Sequence, residues 1–111
     1  MLPHKNRLKL PAPWSKTNPD FQVKTDLFKL VGKNVPEGRS VRIGFIISSK
    51  VGKAAVRNRL RRELARFFYQ ELTKIKNSQE LVVIVFPAMA KVSNEEIISN
   101  LNKVLQKIRF E

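Results

Sequence analysis

The chain has 111 residues, 42% of them hydrophobic, and a formal net charge of +13 at pH 7. That length favours one domain with a real core. The lack of cysteine excludes disulfides and thiolate metal sites, and no apolar run approaches the roughly 18 residues of a membrane span. Met1 to Leu10 lacks the apolar run of a signal peptide, so a cytoplasmic protein is expected. The charge is unevenly placed: residues 1–66 hold 16 Lys or Arg against 4 acids, and residues 67–111 hold 6 against 5. A cationic surface on the first part of the chain points to a nucleic acid partner. It fits an anionic membrane less well, because no basic segment offers an unpartnered apolar face.

Residues 1–20 read as a basic, proline-containing arm and residues 21–111 as one RNA-binding domain. Lys5, Arg7, Lys9 and Lys16 are cationic, and Pro11, Pro13 and Pro19 stop any long helix. Trp14 is expected either to plug the arm onto the domain or to stack on a base. Phe21 to Val31 reads as the first strand, clearest from Leu27, with Phe28 and Leu30 on one face and Leu27, Lys29 and Val31 on the other. Gly32 to Gly38 is a turn-rich connection. Val41 to Ser48 is the next strand. Val41, Ile43, Phe45 and Ile47 form its core side, and Arg42, Gly44, Ile46 and Ser48 form the opposite, mixed side.

The segment Lys50 to Arg66 carries seven cations and one acid. At 100° per residue, Val56, Leu60, Leu64, Phe67 and Phe68 fall on one side, which predicts a helix from about Lys53 to about Lys74. Arg57 and Arg61 lie on one flank of that stripe, and Arg59, Arg62 and Arg66 on the other. Glu63 can neutralise Arg59 or Arg66, but not both flanks. Two basic edges around a docked helix predict phosphate contact on both sides; the competing account is a solvated basic face. After a polar break at Lys76 to Gln79, Leu81 to Phe86 is fully apolar and rich in β-branched residues. It predicts an interior strand, parallel to its neighbour through the helical crossover. Ser93-Asn94-Glu95-Glu96 is a capping box. The helix it opens buries Ile97, Ile98, Leu101, Val104, Leu105 and Ile108 and serves as support.

No catalytic or metal-binding residue is found. His4 stands alone in the arm, the nine acids are scattered, and the adjacent Glu95 and Glu96 are explained by a helix N-terminus. A two-metal nuclease needs convergent carboxylates, and a Walker-type phosphate loop is absent.

The run Lys50-Val51-Gly52-Lys53-Ala54-Ala55-Val56-Arg57-Asn58-Arg59, followed by Arg61 and Arg62, resembles the Arg-Asn-Arg signature of the bacterial ribonuclease P protein subunit. Asn6-Arg7-Leu8 and Arg42-Ile43-Gly44-Phe45 fit that family too, and the order of elements fits it from Arg42 to Ile108. The resemblance implies an α/β fold (α+β in some schemes), with a single small mixed β-sheet, helices packed on one face, and a left-handed β-α-β crossover around the signature helix. It also implies a protein that binds a catalytic RNA subunit and the 5′ leader of precursor tRNA. The RNA carries the active site and binds the catalytic Mg²⁺. On this basis Lys50, Lys53, Arg57, Asn58, Arg59, Arg61, Arg62 and Arg66 are the expected RNA-binding residues. Lys29, Arg42, Ile46, Ser48 and Phe21 are the expected leader groove. No obligate protein partner is expected.

Two departures from the family pattern stand out. The family usually has a helix between its Asn-Arg-Leu element and an Asp-Phe pair, here Asp20-Phe21, and the prolines oppose it. Ser48-Ser49-Lys50 replaces the usual Ser-Lys-Lys. Two other readings remain open on sequence alone: a structural RNA-binding protein such as a ribosomal protein, and a DNA-binding regulator, which would need exposed base-reading side chains.

Overall fold

The structure, a computed structural model, describes residues 2–11, 19–36, 40–72, 74–75 and 79–109. Trp14, Lys16 and the side chain of Ile108 lie outside the described residues. Four strands form one sheet: β1 (Phe21–Lys24), β2 (Phe28–Asn34), β3 (Arg42–Ile46) and β4 (Gln79–Val85). Their spatial order is β1-β2-β4-β3. β2 pairs antiparallel with β1 and β4, and β3 runs parallel to β4. Helix α1 (Ala54–Glu71) makes the crossover from β3 to β4, and α2 (Asn94–Arg109) follows β4.

The first strand of the sequence reading is in fact two. Thr25 breaks it: its Oγ1 accepts the backbone N–H groups of Leu27 and Phe28, at 3.1 and 3.2 Å. That local bond closes a hairpin between Lys24 and Phe28 without the Asn-Gly or Asp-Gly pair that marks such turns most clearly. The segment 32–34, expected as a turn, continues β2 because Lys33 and Asn34 pair with Glu80 and Gln79.

Strand alternation assigns the two faces. Phe28 and Leu30 of β2, Ile43 of β3 and Leu81, Val83 and Val85 of β4 meet the helices in the main core. There α1 contributes Leu60, Leu64, Ala65, Phe67 and Phe68, and α2 contributes Ile97, Leu101, Val104 and Leu105. Phe67 and Phe68 meet edge to face, with ring centroids 5.3 Å apart. Ser93 caps α2 by accepting the Glu96 N–H at 3.2 Å, as its capping box predicts. β4 is the buried centre of the sheet, which is why its sequence is apolar on both faces.

The arm is joined to the domain. Leu2 belongs to the main core, and the buried Asn6 donates from Nδ2 to the Val41 carbonyl at 2.8 Å. Arg7 then forms a parallel bridge with Ile43, and the Leu8 N–H reaches the Ile43 carbonyl at 3.0 Å.

Candidate RNA interface

The α1 interface begins with an end that carries positive potential. Its first turn has no acid, and Lys53, at the N-cap, makes no side-chain cap. The exposed Lys50 and Lys53 add charge where the helix dipole is already positive. Farther along, the arginines are held in place. Arg57 donates from Nε to the Gly52 carbonyl at 3.1 Å. Arg61 donates to Asn58 Oδ1 at 3.2 Å, and Arg66 to Glu63 Oε2 at 2.6 Å. Arg59 reaches across to α2 and donates to Asn94 Oδ1 at 3.1 Å. A guanidinium has five N–H donors, so each arginine keeps donors for a phosphate while its direction is restrained. Both flanks of the helical wheel are therefore present as expected, and Arg62 adds an exposed cation. The helical pattern placed Arg59 on a flank. Its link to Asn94, 35 residues away, had no local signal.

The second surface is the sheet face opposite the helices, and pairing register divides it into three rows. Lys24, Lys29, Ile84 and Ile46 cross the sheet in one row. Gln22, Val31, Val82 and Gly44 form the middle row, and Lys33, Glu80 and Arg42 the third. The first row ends at Ile46, the last residue of β3, from which residues 47–53 lead to the start of α1. There Ile46 is 43% exposed, large for an aliphatic side chain in a strand. Ser48, just beyond β3, is also exposed.

The arm covers part of this face. Leu8 packs with Val82, and Leu10, Val31 and Ile84 surround that pair. Gly44 permits the close approach, since a Cβ there would lie 3.1–3.2 Å from the Leu10 side chain. Of the expected groove residues, Lys29 and Ile46 therefore share one row, with Ser48 past its end. Arg42 shares the face but lies two rows away, with the Leu8–Leu10 segment over the row between. Phe21 is on the other face: its ring covers Gly32, where a Cβ would fall inside it, and it packs against the helix-side core. The reason is register, since Phe21 pairs with Gly32 and so shares the side of Leu30 and Phe28.

The two acids at this face, Asp20 and Glu80, both lie beside cations. Asp20 accepts the Asn34 N–H at 2.7 Å and pairs with Lys33 at 3.3 Å. The Asn34 N–H first, and Lys33 second, hold its carboxyl below the usual carboxylate range. Glu80 is buried and lies 3.9 Å from Arg42. Among the described residues no three His, Asp or Glu side chains gather to hold a metal ion, and no helix is long and apolar enough to cross a membrane.

Fold and charge together define a class: a basic α/β protein that presents restrained arginines and an open sheet face. Comparison with known proteins names the family. The ribonuclease P family profile matches residues 2–109. The chain is 32% identical to the ribonuclease P protein component of Pseudanabaena sp., over 98% of this chain and 96% of that protein. It is 36% identical to that of Geobacillus kaustophilus, over 65% of this chain and 60% of that protein. Solved structures of the RNase P proteins of Staphylococcus aureus and Thermotoga maritima share the fold, with TM-scores of 0.79 and 0.77. Each is 23% identical; they cover 91% and 92% of this chain, and the matches span 93% and 96% of their own lengths. The chain belongs to the ribonuclease P protein family, the protein component of a ribonucleoprotein endoribonuclease, whose partner is an RNA subunit. That membership decides against the ribosomal-protein and DNA-regulator readings.

Proposed function

We propose that this protein binds the catalytic RNA subunit through α1 and holds the single-stranded 5′ leader of precursor tRNA on the adjoining sheet face. The RNA subunit, in this reading, carries out the Mg²⁺-dependent cleavage that removes the leader. Lys50, Lys53, Arg57, Asn58, Arg59, Arg61, Arg62 and Arg66 contact RNA phosphates. Asn58 acts partly through Arg61, which it orients. Lys29, Ile46 and Ser48 receive the leader: charge follows its backbone, and the aliphatic surface meets its bases without reading sequence. The observation that carries this reading is that β3, whose exposed Ile46 ends the row containing Lys29, leads through residues 47–53 directly into the arginine-bearing α1.

Mg²⁺ fits the RNA better than this chain, because Glu80 and Asp20 already face cations and no carboxylates converge among the described residues. The protein would act in the cytoplasm, with no membrane and no obligate protein partner. The test is reconstitution. Protein stripped of RNA should cleave no precursor tRNA, and adding the cognate RNA subunit with Mg²⁺ should restore 5′ processing. Cleavage by the RNA-free protein would refute the reading.

A further inference from the structure

Among the described residues two large hydrophobic side chains are strongly exposed, Ile46 and Tyr69, and Tyr69 is the more open at 54%. It stands in the last turn of α1, at the opposite end of that helix from Lys50 and Lys53. Tyr69 follows Arg62 by seven residues, which is almost two full turns, so it lies in line with Arg62 and about 10 Å farther along the axis. Arg62 and Arg66 are exposed on the same side. Tyr69 therefore continues the arginine surface toward the C-terminal end of α1.

There it borders a groove of about 530 Å³. Leu72 and Val41 give the groove apolar surface, and Pro3 closes it from the arm. Its fixed polar group is Asn6, which is 5% exposed. Asn6 Nδ2 donates to the Val41 carbonyl at 2.8 Å, and among the described residues its Oδ1 meets no donor. The exposed Lys5 stands next to it, and no described acid lines the groove. The size suits one nucleotide. An aromatic face, an anchored acceptor and one cation form a combination that holds a single unstacked base rather than a duplex.

We propose that this groove takes one unpaired nucleotide of the RNA subunit. Its base stacks on the Tyr69 ring, Asn6 Oδ1 accepts an N–H from the base edge, and Lys5 meets a neighbouring phosphate. The inference rests on the reading of α1 as the face that meets the RNA subunit. The leader is not the occupant, because the first row of the sheet ends at Ile46, whereas Val41 enters β3 from its other end. The site anchors the C-terminal end of α1 on RNA, as the arginines anchor its start.

The experiment measures the affinity of the whole protein for the RNA subunit alone, without precursor tRNA. It also maps which unpaired nucleotides the protein shields from a base-modifying reagent. Tyr69→Ala should weaken binding by about 5- to 100-fold, the scale of one lost base stack, and unshield one nucleotide. Its salt dependence should not change, since no charge is lost. Tyr69→Phe should keep both affinity and shielding, which a general loss of structure would not allow. Lys5→Ala should flatten the dependence of log K on log salt by up to about 0.7, the value for one single-strand phosphate. Lys103→Ala, on exposed α2, should be neutral. Wild-type binding and shielding by Tyr69→Ala would overturn the groove. So would a Tyr69→Ala loss that appears only when precursor tRNA is added, which would give the groove to the substrate. Joint replacement of Arg57 and Arg61 by alanine separates the two readings: unchanged affinity there would refute the α1 interface itself.

Discussion

The two faces of one sheet show how the same strands serve opposite ends. On the helix side, Phe28, Leu30, Ile43, Leu81 and Val83 lie at 2% exposure or less and pack against two helices. On the other side, the described cover is a single extended segment, Leu8 to Leu10, over Val82 and Gly44. The first face obtains its stability from continuous apolar burial. The second leaves cations in its two outer rows, Lys24 and Lys29 in one and Lys33 and Arg42 in the other, under a thin described cover.

The largest effect should separate the faces by stability. Phe68→Ala removes a fully buried ring from the helix side and should cost about 3–5 kcal/mol in denaturant unfolding. Leu8→Ala, in a two-residue buried cluster, should cost about 2 kcal/mol at most, near the floor for Leu→Ala. Equal losses would mean that the arm is as much a part of the core as α1.

Next in size is Gly32→Ala, whose new methyl would collide with the Phe21 ring. The clash should cost about 1–3 kcal/mol by overpacking. Because Phe21 faces the helix side, affinity for a long-leader substrate should not change at protein concentrations where the variant is folded. A leader-dependent loss would return Phe21 to the leader site.

A third contrast lies within α1. Replacing Arg57 and Arg61 by alanine should leave the fold intact and flatten the dependence of log K on log salt by up to about 0.9 per lost phosphate contact. Asn58→Ala should change affinity through the orientation of Arg61, with a smaller change of slope. Asn94→Ala removes the acceptor that holds Arg59 and should cost about 0.5–1.5 kcal/mol in unfolding. It should also weaken RNA binding, although Asn94 carries no charge. Binding that ignores both arginine changes would show those cations to be solvated.

The smallest effect concerns the residue just before β1. The Asp20 carboxyl is held below its usual value chiefly by the Asn34 N–H. A depressed acid stabilises the fold at pH values above its unfolded value, and that contribution fades as pH falls through the depressed folded value. Wild-type stability measured against Asp20→Asn should therefore show a small advantage near neutrality that disappears in acid. An advantage that grows in acid would reverse the sign and remove the Asn34 bond as its cause.

The sequence alone determined what local periodicity and local chemistry can carry. The stripe of Leu60, Leu64, Phe67 and Phe68 located α1, the apolar run of β4 marked a strand covered on both faces, and Ser93 placed the start of α2. Strand alternation put Val41, Ile43 and Phe45 on one side and Arg42 and Ile46 on the other. Only the tertiary structure decided which distant residues share a row. Thr25 split one expected strand in two, and the resulting register turned Phe21 toward the helices. The pairing of Arg42 with Glu80 and of Lys29 with Ile84 separated two cations that alternation alone had placed on one face. The close approach of Leu10 to Gly44 laid the arm between their rows. The physical reason is that periodicity fixes the side of a strand a residue occupies, whereas register and long-range packing fix its neighbours.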